Sequence, residues 1–353
     1  LKGTITSSND AMSFGPISLG ANTTLNTVAT TNVADLSIGA VTGATYSLTL
    51  RTGAVSGAEI TGTSTSGVGT LTITNSGGTT FSGAVSAGSL TITDSAASTA
   101  VTFNGDLTLT TGMTVSAGTA AYNVAINGTT NTIAGATTFA NTGTLALGNG
   151  SDTINFTGGV VATAPSAVTV NGTVTAAGTG VITLGDSNTA VTIGGTSTIG
   201  GTSTGQITTG AIALNNSLTV GATAATPITL TTVTGPSSGS ANLTINTAGA
   251  VTVGGAVGTN VGTLTITNSG GTTFSGTVAA TTVTLTNTTG SIIFNDALTA
   301  TTLNTAAQGY NVELNGASGT ITNAVTFSNT GALALGASGG TLTFNGGLTA
   351  TAP

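Results

Sequence analysis

The sequence predicts an all-β chain wound as a parallel β-solenoid, and three observations carry that prediction. The sixteen residues 68–83, VGTLTITNSGGTTFSG, recur letter for letter at 261–276. Short runs that alternate apolar with small polar residues return at steps of about 19–23 residues, a cadence within the range of stacked repeats. The composition is also far from that of an ordinary globular domain. Charged residues are 3% of the chain, where soluble domains carry roughly 25%, while 55 glycines accompany a positive mean hydropathy of +0.43. Low charge with many Gly and Ser can signal disorder, but the recurring Val, Ile, Leu and Thr argue for ordered strands.

Strand-like triplets begin at Leu71, Leu90, Val124, Leu145, Val168, Val191, Ile212, Leu243, Leu264, Val283, Val312 and Leu333. Each alternates apolar with small polar residues, as in Leu71-Thr72-Ile73-Thr74, the period of two that marks a strand with one buried face. Gly, Asn, Ser and Asp cluster between them, where turns need φ > 0 or a side chain that bonds its own backbone. No helical spacing persists, and Gly and Thr are poor helix formers. Tight hairpin signals are rare between matched strands, and aromatics at 3% are too few for a sandwich core about 10 Å thick. Stacked coils of about 19–23 residues fit better, because a stack buries the apolar face that one coil cannot. Right-handed winding is the default for parallel crossovers, and about 16 coils would make a rod roughly 80 Å long at strand spacing. Asn75, Asn127 and Asn268 are candidates for polar ladders between coils.

The long repeat has a period of about 188–195 residues and covers the whole chain as about 1.8 copies, approximately 17–211 and 212–353. Phe81, Phe103, Phe139 and Phe156 match Phe274, Phe294, Phe327 and Phe344, and Tyr122 matches Tyr310. Because the text after Pro165 has no counterpart after Pro353, the expectation is one continuous array excerpted from a longer chain.

Charge and chemistry exclude several functions. Lys2 and Arg51 are the basic residues against nine acids, for a net charge of −7. That is not the footprint of a nucleic-acid binder or of a polybasic membrane contact. No run of about 18 apolar residues predicts membrane insertion by a helix. The chain has no His and no Cys, so the commonest general base, metal ligand and thiolate nucleophile are missing. The acids do not recur between copies: Asp94 aligns with Asn287, Asp152 with Gly340, Asp106 with Ala297, Glu313 with Ala125, and Glu59 with Gly254 or a neighbour. The copies keep apolar positions and vary charges, so the expectation is a non-catalytic chain without a cofactor. A polysaccharide-acting β-helix enzyme would need clustered acids, and these lie tens of residues apart.

Other motifs are weak. The turns at Gly185 (GDSN) and Asn149 (NGSD) admit calcium, but the repeated ligand pattern of calcium-binding solenoids is absent. The Gly-rich run 194–205 has no Lys and no following helix, so it is not a phosphate loop. Sequons such as Asn22, Asn127 and Asn242 follow from composition and matter only in a glycosylating source. A face of regularly spaced Thr would order water and bind ice, yet the rows mix Thr with Ala, Asn and Gly, and irregular coil lengths argue against it. If the solenoid recognised glycans, aromatic platforms would carry the stacking. Tyr122 and Tyr310, in matching YNV contexts, are the candidate ligand contacts, with Tyr46 the third tyrosine. As a bland alternative, they are partly exposed turn aromatics.

With GTLTITNSGGTTFSG as its signature, the text resembles the repetitive shafts of giant bacterial surface proteins, the filamentous-haemagglutinin-like and autotransporter adhesins. The resemblance implies a β-solenoid shaft, an extracellular or cell-surface location, and a role in attachment or matrix. The expected function is a structural segment of an extracellular fibre or adhesin stalk, the alternative being a glycan- or host-protein-binding adhesin module. Expected partners are neighbouring repeats or further copies by end-to-end or lateral self-association, and surface glycans.

Overall fold

The computed structural model describes residues 1–31, 33–222 and 224–353. The chain forms two compact units, Leu1–Ala176 and Ala177–Pro353, and each is a parallel β-solenoid. In the first unit, the outward residue at the centre of one strand row runs Thr4, Thr24, Thr49, Thr72, Thr91, Thr114, Thr138, Val161. These eight rungs are eight coils. In the second unit a row of eight runs Thr183, Thr208, Thr229, Thr252, Thr273, Ile293, Glu313, Ala334. All of these pairings are parallel, so each strand's backbone groups bond to the coils before and after it, and each unit rises about 35–40 Å along its stack.

Three strands make a coil. In the second unit the coil that follows Val191 runs Ile212–Leu214, Leu218–Val220 and Ile228–Leu230. Some coils fuse two of the three into one long strand, as in Thr65–Asn75 and Val257–Asn268. The predicted triplets therefore belong to three different rows: Leu71 and Leu90 pair in one, Val124 and Leu145 in another. Coil length varies along the rows. The step from Thr72 to Thr91 is among the shortest, and the steps from Thr24 to Thr49 and from Thr183 to Thr208 are longer than the sequence predicts. The extra residues go into corners, and the strand register is kept.

The alternation Leu71-Thr72-Ile73-Thr74 behaves as its period requires: Leu71 and Ile73 are fully buried and the threonines half-buried. The corner after them is not a solvent turn, because Ser76 also points inward and is buried. Its hydroxyl bonds Ser95 (3.0 Å) and accepts from Thr79 (3.1 Å), and Ser95 continues to Thr99 (2.9 Å). In the other copy Ser269 bonds Thr288 and accepts from Thr272 (3.0 Å). A strand corner must turn its backbone within the core, and hydroxyls that bond each other and nearby carbonyls make that tolerable.

Aromatics fill the interior at matching places. Phe81 and Phe103 stack at 5.8 Å and 8°, and Phe274 and Phe294 at 4.9 Å and 8°. Phe139 and Phe156 meet edge-on at 6.0 Å, as do Phe327 and Phe344 at 6.4 Å. These are the offset-stacked and T-shaped geometries that ring quadrupoles favour. The expected asparagine ladder forms between Asn127 and Asn104 (3.1 Å). At Asn75 it does not, since its side-chain oxygen is buried without a partner.

Candidate interaction surface

Several aspartates accept backbone N–H groups near corners, whereas Glu313 sits on a strand. Asp35 accepts from the Glu59 N–H (2.9 Å) and Asp106 from the Thr130 N–H (2.9 Å), each one coil further on. Buried Asp94 accepts from the N–H and the hydroxyl of Thr119 (3.1 and 2.6 Å). Asparagines do the same: Asn22 takes the Ser47 N–H, Asn123 that of Thr144, Asn242 that of Thr263 and Asn311 that of Ala332 (2.8–2.9 Å). A side-chain oxygen at a corner satisfies an N–H that the strand ladder has just released. Asn and Asp both serve as that acceptor, at different corners. Register refines one alignment: Ile60 pairs with Thr79 as Val251 pairs with Thr272, so Glu59 corresponds to Ala250.

The proposed calcium turns are closed on themselves. Asp186 accepts from the N–H groups of Asn188 and Thr189 (2.8 and 2.9 Å), and Asp152 from that of Asn149 (2.7 Å). Among the described residues no three His, Cys, Asp or Glu side chains gather to hold a metal, and no helix is long and apolar enough to cross a membrane. The concave features are shallow. One of about 220 Å³ in the second unit is lined only by Thr and Ala, including Thr259, Ala280, Thr281 and Thr301. Another of about 230 Å³ in the first unit includes a single carboxylate, Glu59.

Tyr122 and Tyr310 are both 0% exposed, so neither is the partly exposed turn aromatic of the bland reading, and a glycan could stack on them only if their coils opened. The Tyr122 hydroxyl donates to the Ser116 carbonyl (2.6 Å). The Tyr310 hydroxyl donates to the Leu285 carbonyl (2.8 Å) and accepts from the Ala306 N–H (3.0 Å). Burial pushes the Tyr122 phenol well above its ordinary range, and the nearby Asp94 carboxylate adds to the shift. Burial also raises that of Tyr310, opposed in part by the Ala306 N–H. Asn141 and Asn329, both buried, tie their amides to the carbonyls of Tyr122 and Tyr310 (3.1 and 3.2 Å). The rings are anchors of the interior. Tyr46 is the tyrosine that faces solvent, 39% exposed, on a turn that holds Ala44 and Thr45 at φ +48° and +69°. A β-branched residue with positive φ is strained.

The extended outer feature is hydroxyl-rich. Seven threonines occupy consecutive rungs from Thr4 to Thr138. Where the strands are long, the column widens into a grid. Thr70, Thr72 and Thr74 lie over Ser89, Thr91 and Thr93, with Thr70 bonded to Ser89 at 3.0 Å. In the second unit Thr263, Thr265 and Thr267 lie over Thr282, Thr284 and Thr286. The sequence reading expected Thr to be interrupted here. Irregular coil length is absorbed at corners, so the strand positions stay in phase and the column is unbroken over seven rungs.

No family model, no curated protein and no solved structure matches the chain.

Proposed function

We propose that the chain is a non-catalytic structural segment of an extracellular fibre or adhesin stalk. The observation that carries this reading is the use of polar chemistry. Asp35, Asp94, Asp106, Asp152 and Asp186 all accept backbone N–H groups, and the two tyrosines kept in both copies are locked inside. Asp35, Asp94 and Asp106 hold one coil to the next, and Asp152 and Asp186 close their own turns. Such a stack resists extension because many inter-coil hydrogen bonds break together. It also offers trypsin only Lys2 and Arg51, a useful property outside a cell.

Immunolabelling of intact cells, with electron microscopy of the released native protein, tests the reading. Surface label on fibrous material is expected. Label confined to the cell interior overturns it. Glycan binding is a second reading, favoured at one place: Tyr46, the exposed ring on a strained turn. Glycan-array signal lost in Tyr46→Ala supports it, and signal retained in that variant removes it.

A further inference from the structure

We infer that each threonine grid is an ice-binding face, a function beyond the structural one. The grids repeat in two dimensions, at about 4.8 Å between coils and about 6.6–6.8 Å between alternate residues of a strand. Oxygen atoms on ice surfaces recur on that scale. Each threonine presents a hydroxyl and a methyl. Its β-branch restricts χ1, so little side-chain entropy is lost when the face meets a solid. The Thr70–Ser89 bond of 3.0 Å places neighbouring hydroxyls at the spacing water itself adopts. The grid of the second unit carries no charged side chain, and that of the first none in its two long-strand coils.

A second, independent observation points outward to a ligand. Between the copies, the core residues Leu90 and Ile92 have become Val283 and Leu285, while the outward Thr91 and Thr93 remain as Thr284 and Thr286, and Ser89 is replaced by another hydroxyl, Thr282. A scaffold alone constrains the interior and leaves the exterior free to drift. The retention is confined to the grid: the neighbouring outward residues Ser86 and Gly88 have become Ala279 and Thr281, while the inward Val85 and Ala87 stay as Val278 and Ala280. Coil length varies from rung to rung while the threonine column never slips, which fits reading by something that is itself periodic. A crystalline polysaccharide is also periodic, but sugar rings stack on aromatics, and neither grid has one.

The test uses the full chain and a set of four changes on the grids: Thr72→Lys, Thr91→Lys, Thr265→Lys and Thr284→Lys. Ala146→Lys with Ala334→Lys, at outward strand positions away from both grids, is the control. Each protein is checked by far-ultraviolet circular dichroism, then assayed for incorporation into slowly growing ice and for inhibition of ice recrystallisation. The native chain and the control should be enriched in ice, and the set of four reduced by about tenfold or more, the equivalent of about 1.4 kcal/mol. If the lysine set does not fold, Thr72→Tyr and Thr265→Tyr, which suit strands, replace it with the same expectation. Native chain excluded from ice, equal activity in the set of four, equal loss in the control, or binding to crystalline chitin with indifference to ice each overturns the inference.

Discussion

The segments around Phe81 and around Phe274 begin with the same sixteen residues and then diverge, and their divergence separates what the solenoid requires from what it merely contains. Both stack their phenylalanines at 8°, and both bury a serine in a hydroxyl network at the corner. The corner after Asp94 is two residues longer than the one after Asn287, and it takes Ser98 through φ +62° to close. Buried Asp94 holds Thr119, whereas its counterpart Asn287 is exposed. Tyr122 bonds within its own coil, and Tyr310 reaches back to Leu285 of the preceding one. Ring stacking and inward hydroxyls are held fixed. Corner length, charge and the route of a tyrosine's hydrogen bond are free.

Substitutions at paired positions break or sharpen that division. Phe103→Ala and Phe294→Ala remove one ring of each stack and leave a cavity, at a cost of about 3–5 kcal/mol in either unit. Denaturant unfolding followed with hydrogen exchange should find the two losses similar. A large difference would mean that the stacks are not equivalent. Ser76→Ala and Ser269→Ala come next, at about 1–3 kcal/mol each, because the buried Thr79 and Thr272 hydroxyls lose their acceptor. Tyr310→Phe and Tyr122→Phe should then be similar, both near about 1 kcal/mol, since each gives up one donated bond and the Ala306 N–H keeps the Leu285 carbonyl (2.9 Å). The smallest effect is charge alone. Asn287→Asp, on an exposed residue, should stay within about 0.5 kcal/mol, and Asp94→Asn should cost about 1 kcal/mol through a weaker acceptor for Thr119.

The buried phenols add a pH dependence. Their folded pKa values lie above the unfolded value, so the neutral form is the one the fold favours. Their contribution is fully present below pH about 10 and is lost as pH rises beyond it. Alkaline titration by tyrosinate absorbance should show late ionisation at Tyr122 and Tyr310 that coincides with loss of β circular dichroism. Tyr122→Phe and Tyr310→Phe should each remove one late step.

Much of the fold was legible from sequence because period-two alternation and Gly/Asn corners are local signals. Leu71 and Ile73 could be assigned inward from four residues. What was not legible depended on register. The threonine column looks interrupted when read along the chain and is continuous only when coils of unequal length are laid in phase. The inward turn of Ser76 was hidden because a serine beside two glycines reads as solvent-facing turn. Tyr122 and Tyr310 were candidates on chemistry alone, and burial, which sequence does not print for an isolated tyrosine, turned them into anchors. The role of the acids was hidden because it depends on which backbone N–H lies one coil further on, and Asp94 and Asp106 correspond to Asn287 and Ala297 in the other copy.

Extension of the full chain between its ends in a force spectrometer tests the stalk most directly. Coils that yield only when all their ladder bonds break should give discrete force peaks. Each should release whole coils, in steps of about 70–85 Å or multiples at about 3.4 Å per residue. Phe103→Ala and Phe294→Ala should lower peaks without changing the step. Smooth lengthening at low force, with no peaks, would contradict a mechanical role for this stack.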